Sequence, residues 1–253
     1  MRHLPTLLKR ELSSYFLSAT AYLILCAFLV IAWVNFFELL TSLSRNTLFY
    51  SGRSDPLNSY ISGSFSFWIA VMIAVPALTM RLFADERRSG TIETLLTIPV
   101  TELEVVVAKW LAGVIMFSIS MIPFAMYLPF LRIQGGYAFD VGPVLSLGIG
   151  LLSVGMMFTA IGVFFSSLTK SQIVAAIWTF TAIFGLLLTQ LAHQYAVYKR
   201  SSWADGIEFL SVLHQVARFG EGRLDLRYLA LHASVTVFLL YLTMKVIEWR
   251  RES

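Results

Sequence analysis

The run ATAYLILCAFLVIAWVNFF, residues 19–37, contains no charged side chain and sets the class of fold. It lies within 26 uncharged residues between Glu11 and Glu38. A helix of about 20 mainly apolar residues crosses the roughly 30 Å hydrocarbon core of a bilayer. Residues 19–37 therefore predict a transmembrane helix.

Five further uncharged intervals follow along the chain, with lengths of 25, 22, 29, 28 and 17 residues. Together with the first they predict six spans, centred on residues 19–37, 63–79, 110–130, 143–168, 171–191 and 228–244. We expect an all-α polytopic helix bundle that forms a single transmembrane domain over residues 1–253. Pro123 and Pro129 are expected to kink or end the third span, because proline removes a helical hydrogen bond.

Composition supports a membrane protein, because 57% of the residues are apolar and 13% are charged. An average soluble domain has about 45–50% and about 25%. The net charge of +4 is scattered between apolar segments, so no nucleic-acid surface is expected. Cys26 is the single cysteine, which excludes an internal disulfide and a metal site built on cysteines.

The most charged part of the chain is MRLFADERRSGTIETLLTIPVTELEVVVAKW, residues 80–110, with nine charges between Arg81 and Lys109. Gly90 is expected to end a helix. Apolar residues at i, i+3 and i+4 then predict a short amphipathic helix over residues 91–97, which Pro99 ends. Thr101 and Glu104 have the spacing of a capping box, so a new helix is predicted to start there and enter the third span.

Three glycines of the fourth span, Gly148, Gly155 and Gly162, recur at intervals of seven. This spacing places them near one helix face and lets another backbone approach closely. Packing inside the bundle is the favoured interpretation, and a dimer interface is the alternative.

Two segments outside the spans show helical periodicity. Residues 1–18 alternate leucines with Lys9, Arg10 and Glu11, which favours an amphipathic helix on the membrane surface over an ordinary basic flank. Residues 199–227 carry Ile207, Leu210, Leu213 and Ala217 at helical spacing, which favours an amphipathic or re-entrant external helix over a solvated loop.

Orientation follows from lysine and arginine, which are retained in excess on the cytoplasmic side. With both termini inside, eleven of the 19 basic residues are cytoplasmic. Five of the other eight lie in the long segment 199–227, and long segments count less in this rule. We therefore expect cytoplasmic N- and C-termini.

Chemical motifs are sparse. No ionisable residue lies near the middle of a predicted span, which disfavours a proton-driven transporter. His193 and His232 lie near span ends, as interfacial histidines do, and neither has a partner at metal-ligand spacing. The phosphate-binding glycine-rich loop is missing and no nucleophile–base pair is evident, so the chain is predicted to be no enzyme on its own.

Residues 84–101, ADERRSGTIETLLTIPVT, resemble the cytoplasmic segment of ABC-2 type transporter permeases, whose family members have six spans. Residues 9–22, KRELSSYFLSATAY, are similar to the start of the gliding-motility-associated permeases. The resemblance implies a subunit of the cell inner membrane that pairs with a second permease. It also implies two cytoplasmic ATPase subunits, supplied by a separate chain, which hold ATP and Mg²⁺, so no cofactor is expected in this chain.

In this family the charged segment is a coupling helix that docks on the ATPase. The resemblance therefore makes six residues candidates for coupling: Glu86, Arg87, Gly90, Thr91, Glu93 and Leu95. It also implies that the external segment dips into the membrane. The expected function is ATP-driven export or movement across the membrane. A mechanical transmitter or anchor in an envelope complex, and an ATP-independent secondary transporter, are the alternatives; the uniformly apolar spans indicate no substrate.

Overall fold

The computed structural model describes residues 3–44, 61, 63–89, 101–135, 141–200 and 203–252. Within these residues the chain forms ten α-helices and no strand. The helices are α1 (Leu4–Phe16), α2 (Ala19–Ser44), α3 (Phe65–Thr79), α4 (Arg81–Ser89), α5 (Glu102–Gly135), α6 (Val141–Leu168), α7 (Gln172–Tyr198), α8 (Ala204–Leu210), α9 (Val212–Gly220) and α10 (Leu226–Glu252).

Six helical stretches of the described chain are long and apolar enough to cross a membrane, which confirms the predicted polytopic helix bundle. They are Ala19–Thr41, Phe65–Arg88, Glu102–Tyr127, Val141–Leu168, Gln172–Tyr198 and Leu226–Trp249. The second of these consists of α3 and α4 together, so this helical stretch continues several residues beyond Arg81, where the uncharged interval ends.

The spans divide into an inner and an outer group. In the apolar stretches of α3–α4, α5 and α6 more than half of the residues are buried. In those of α2, α7 and α10 fewer than a third are buried. Helix α10 packs on α6, α2 packs on α3 and α5, and α7 packs on α3 and α6. Edge-to-face aromatic contacts join the groups: the ring centroid of Phe124 lies 5.0 Å from that of Phe67 and 6.1 Å from that of Phe28.

Helix α5 runs through both Pro123 and Pro129 to Gly135, so neither proline ends it. The start of α5 is a capping box, as predicted. The Glu104 amide donates to Thr101 Oγ1 at 3.3 Å, and the Thr101 amide donates to Glu104 Oε2 at 3.4 Å. Side-chain acceptors at this end satisfy amide groups that have no partner inside the helix.

Helix α1 packs against α5. The charged residues of α1 therefore differ in exposure. Lys9 is exposed, whereas the neighbouring Glu11 is 8% exposed and faces the bundle. The sequence grouped these two residues on one polar side. In the structure Glu11 belongs to the interior.

The segment between α7 and α10 forms two short helices instead of one. The backbone of Ser211 is extended, with φ −75° and ψ 105°, and this residue separates α8 from α9. Ser211 Oγ then accepts the amide of His214 at 3.4 Å and so caps α9. Helix α8 packs against α7, and α9 packs against both α6 and α7.

Candidate functional site

Within the second span α3 ends at Thr79 and α4 begins at Arg81, and amides at the start of a helix need an acceptor from outside it. Ser166 of α6 supplies it: Ser166 Oγ accepts the amides of Phe83 at 3.1 Å and Ala84 at 3.2 Å. The same hydroxyl donates to the Met80 carbonyl at 3.0 Å. One buried serine therefore satisfies three backbone groups and fixes α4 against α6.

A cluster of four charged side chains joins α1, α4 and α5. We call Arg10, Glu11, Glu86 and Lys109 the charged junction. Lys109 Nζ lies 2.8 Å from Glu86 Oε1 and 3.1 Å from Glu11 Oε1, and the lysine side chain is only 2% exposed. Arg10 Nη2 lies 2.9 Å from Glu11 Oε1 and 3.3 Å from Glu86 Oε1.

The charged junction is electrically balanced, with two cations and two carboxylates. A buried ammonium is tolerated only when its charge is paired and hydrogen-bonded, and both carboxylates meet that need for Lys109. Its ammonium also lies 5.2 Å from the ring centroid of Phe83, within the range of a cation–π contact. The sequence contains all four residues but does not show that they meet.

Helix α4 is also held on its other side. Arg87 Nη1 donates to the Ser167 carbonyl near the C-terminus of α6 at 2.6 Å. A cation at this position is favoured because the last carbonyls of a helix have no partner inside it. The side-chain amide of Gln172, at the start of α7, donates to the Asp85 carboxylate. Helix α4 is thereby joined to the junction of α6 and α7.

Of the six residues proposed for coupling, the structure places two. The side chains of Glu86 and Arg87 are half-buried and bind partners within the chain. Gly90, Thr91, Glu93 and Leu95 lie outside the described residues, as does the short helix predicted for residues 91–97.

The glycines of α6 have different surroundings. A Cβ on Gly155 would overlap the Phe117 ring of α5, and one on Gly162 would overlap Thr79 of α3. A Cβ on Gly148 would meet no atom within 4 Å. Gly150, which the interval of seven does not include, faces Phe219 of α9 so closely that a Cβ would overlap the ring.

A polar network at the far end of the bundle was not anticipated from the sequence. His232 of α10 is 1% exposed, so its side chain faces the interior of the bundle. Its Nε2 donates to Gln215 Oε1 at 2.7 Å, because the Gln215 amide nitrogen donates to the Phe209 carbonyl at 2.6 Å. Its Nδ1 lies 2.9 Å from Ser153 Oγ of α6. No single stretch of sequence could reveal this network, since its members lie on separate helices.

A pair of histidines, His193 and His214, lies next to this network, since His214 precedes Gln215 in α9. The rings of His193 and His214 are 5.9 Å apart, and His214 Nε2 lies 2.8 Å from Glu208 Oε1. Burial lowers the pKa of His214, while the Glu208 carboxylate opposes that shift. Across the described part of the chain, no group of three or more histidine, cysteine, aspartate or glutamate residues could hold a metal ion.

A family model described as an ABC-2 family transporter protein matches residues 8–244. Among curated proteins, no sequence matches the chain significantly. The matched range includes the charged junction, the whole charged segment of residues 80–110 and the network around His232.

Proposed function

This chain belongs to the ABC-2 family of transporter proteins, and we propose that it is a permease subunit driven by ATP hydrolysis in a separate ATPase chain. The observation that carries the proposal is the contact of 2.8 Å between Glu86 and Lys109. Glu86 lies just before residues 90–100, and Lys109 lies just after them. An ion pair therefore joins the two ends of the charged segment.

A segment whose two ends are joined in this way can transmit force to the helices that it connects. Displacement of residues 90–100 acts on α4 and α5 together, because the charged junction ties these helices to one another and to α1. Arg87 and Asp85 extend the connection to the ends of α6 and α7. We assign Gly90, Thr91, Glu93 and Leu95 to contact with the ATPase, and Glu86 and Arg87 to passing its movement to the spans.

The assembly follows from the same proposal. ATP and Mg²⁺ bind the ATPase, since this chain has no phosphate-binding loop, and a second permease completes the membrane part. The excess of basic residues supports cytoplasmic termini in a cell inner membrane. Residues 9–22 support a relationship to the gliding-motility-associated permeases. The exposed apolar faces of α2, α7 and α10 provide surface for lipid and for the second permease.

Co-purification with an ATPase subunit tests the docking part of this proposal. The double variant Gly90→Pro with Glu93→Arg is expected to abolish the complex, because it changes both the backbone and the charge of the contact. Glu221→Arg is the matched control, since Glu221 is exposed and follows α9 at the far end of the bundle. Equal complex yields for all three proteins would contradict the assignment.

A second measurement tests transmission separately. Glu86→Gln leaves Lys109 paired with Glu11, so the variant is expected to fold and to bind the ATPase. We expect wild-type protein labelled at Leu17 and Lys170, both exposed, to show a change in label distance on ATP binding. The change should shrink in Glu86→Gln. An undiminished change would remove the charged junction from the transmission route.

A further inference from the structure

A wide surface groove of about 720 Å³ lies between α1 and Arg81 at the start of α4. We call it the cationic groove. Its polar lining consists mainly of Thr6, Lys9, Ser13, Ser14, Ser18 and Arg81. Thr6, Lys9 and Ser13 recur at helical spacing, so they lie on one face of α1. The groove therefore offers cations and hydroxyl donors along a single helix face.

The groove lies where the chain enters the first apolar span. Helix α1 ends at Phe16 and α2 begins at Ala19. Arg81 begins α4, one residue after the apolar helix α3 has ended, and its Nη1 donates to Ser18 Oγ at 2.5 Å. The Tyr15 hydroxyl donates to the Leu78 carbonyl at 2.6 Å. The start of the first span and the C-terminal end of the apolar helix α3 thus meet at the groove, a boundary between apolar and charged sequence that suits lipid headgroups.

Two of the cations at the groove have no directly paired carboxylate among the described residues. The guanidinium of Arg81 lies 5.4 Å from the ring centroid of Tyr15 and binds the Ser18 hydroxyl. Among the described residues, no carboxylate forms an ion pair with Arg81 or with Lys9. Arg10 differs, because Glu11 and Glu86 already balance its charge. Lys9 and Arg81 therefore favour an anionic ligand.

An apolar recess of about 550 Å³ adjoins the groove and shares Lys9, Ser13 and Leu17 with it. Leu8, Leu12 and Phe16 complete its apolar wall. Leu17 is 87% exposed and Phe16 is 42% exposed. Covering such surface with hydrocarbon is favourable, and free inorganic phosphate cannot do so.

We propose that the cationic groove and the adjoining recess bind one anionic phospholipid, with the phosphate at Lys9 and Arg81 and an acyl chain along Leu12, Phe16 and Leu17. The planar guanidinium of Arg81 matches two phosphate oxygens, and the serine hydroxyls donate to the remaining oxygens. The bound lipid holds α1 against the membrane surface and leaves the charged junction facing the bundle.

Native mass spectrometry of the full chain in detergent micelles tests the proposal, with phosphatidylglycerol as the anionic probe and phosphatidylcholine as the zwitterionic one. The first phosphatidylglycerol is expected to bind more tightly than phosphatidylcholine. Lys9→Gln and Arg81→Gln should each weaken it about five-fold, and together about 25-fold. Lys170→Gln removes an exposed cation at the α6–α7 junction and is the matched control, with a change below about two-fold expected.

Equal affinities of wild-type protein for the two lipids would overturn the proposal. So would an equal loss in Lys170→Gln, or displacement of phosphatidylglycerol by inorganic phosphate alone, which would indicate a site for a free anion. If Arg81→Gln fails to fold, Lys9→Gln decides the result, because Lys9 is exposed and its side chain makes no hydrogen bond or ion pair within the described residues. None of these measurements requires an ATPase.

Discussion

The ammonium of Lys109 lies 2.8 Å from the carboxylate of Glu86 and joins the two ends of the most charged segment of the chain. Lys109→Met removes this cation and leaves Glu11 and Glu86 with Arg10 as their shared partner. We expect a loss of about 2–4 kcal/mol in the free energy of unfolding, since breaking a buried ion pair strands a charge. Thermal unfolding in detergent measures the loss.

Lys245→Met provides the control for this prediction. Lys245 lies 2.6 Å from Glu248, but both side chains are about half exposed, so the pair should contribute at most about 1 kcal/mol. Adding Glu11→Gln and Glu86→Gln to Lys109→Met should recover part of the lost stability. If the two lysine variants unfold at the same temperature, the charged junction has no special role in stability.

Ser166→Ala should loosen the start of α4. The substitution removes the acceptor of the Phe83 and Ala84 amides and the donor to the Met80 carbonyl, at an expected cost of about 1–3 kcal/mol. Hydrogen exchange at Phe83 and Ala84 should accelerate. Ser167→Ala is the matched control, because Ser167 Oγ donates only to the Phe164 carbonyl of its own helix. Equal exchange in both variants would exclude Ser166 as the cap.

Alanine substitutions in α6 should distinguish the glycines that contact another helix from those that face open space. Gly155→Ala and Gly162→Ala should each cost about 1–3 kcal/mol, because the new Cβ overlaps Phe117 or Thr79. Gly148→Ala meets open space and should stabilise the helix by up to about 1 kcal/mol. Chemical unfolding of the three variants gives the comparison. A loss at Gly148 equal to that at Gly155 would point to a contact outside the chain.

Acidification should weaken the attachment of α9. Burial lowers the pKa of His214 below its usual 6.5, so the unfolded chain takes up a proton before the folded chain does. Stability should therefore fall as the pH drops below about 6.5 and stay constant above it. Glu208, Arg218, His193 and Glu221 also act on this ring.

Melting temperatures of wild type and His214→Phe between pH 8 and pH 5 measure this effect. The fall in the wild type should be smaller in the variant, which cannot take up this proton. Ionisable groups remote from this ring contribute equally to both proteins and cancel in the difference, so the difference reports His214 together with the groups coupled to it. Parallel curves for the two proteins would assign the pH dependence to other groups.

The spans were predictable because the bilayer requires about 20 apolar residues in sequence, and the uncharged intervals show that length directly. The capping box was also predictable from local sequence, since Thr101 and Glu104 are only three residues apart in the chain. The burial of Glu11 was not, because its partner Lys109 is 98 residues away. A local pattern shows which side of α1 is polar, but it does not show which polar residue enters the interior.

The histidine network had no sequence signal for a similar reason. Ser153 and Gln215 lie 79 and 17 residues from His232, and each is an ordinary polar residue of an apolar or amphipathic helix. The break at Ser211 was also hidden, since the apolar spacing continues across it. Serine at this position does carry a capping preference, which explains the break once it is seen.

The pairing of Glu11 with Lys109 also has a consequence for biosynthesis. Helix α1 leaves the ribosome 98 residues before its buried partner, a delay of roughly 5–20 s at about 5–20 residues per second. Until Lys109 has been synthesised, the Glu11 carboxylate, which is buried in the folded protein, lacks its lysine partner. Final docking of α1 must therefore wait until the start of α5 has been synthesised, so seating of the N-terminal helix reports that the chain has reached the third span.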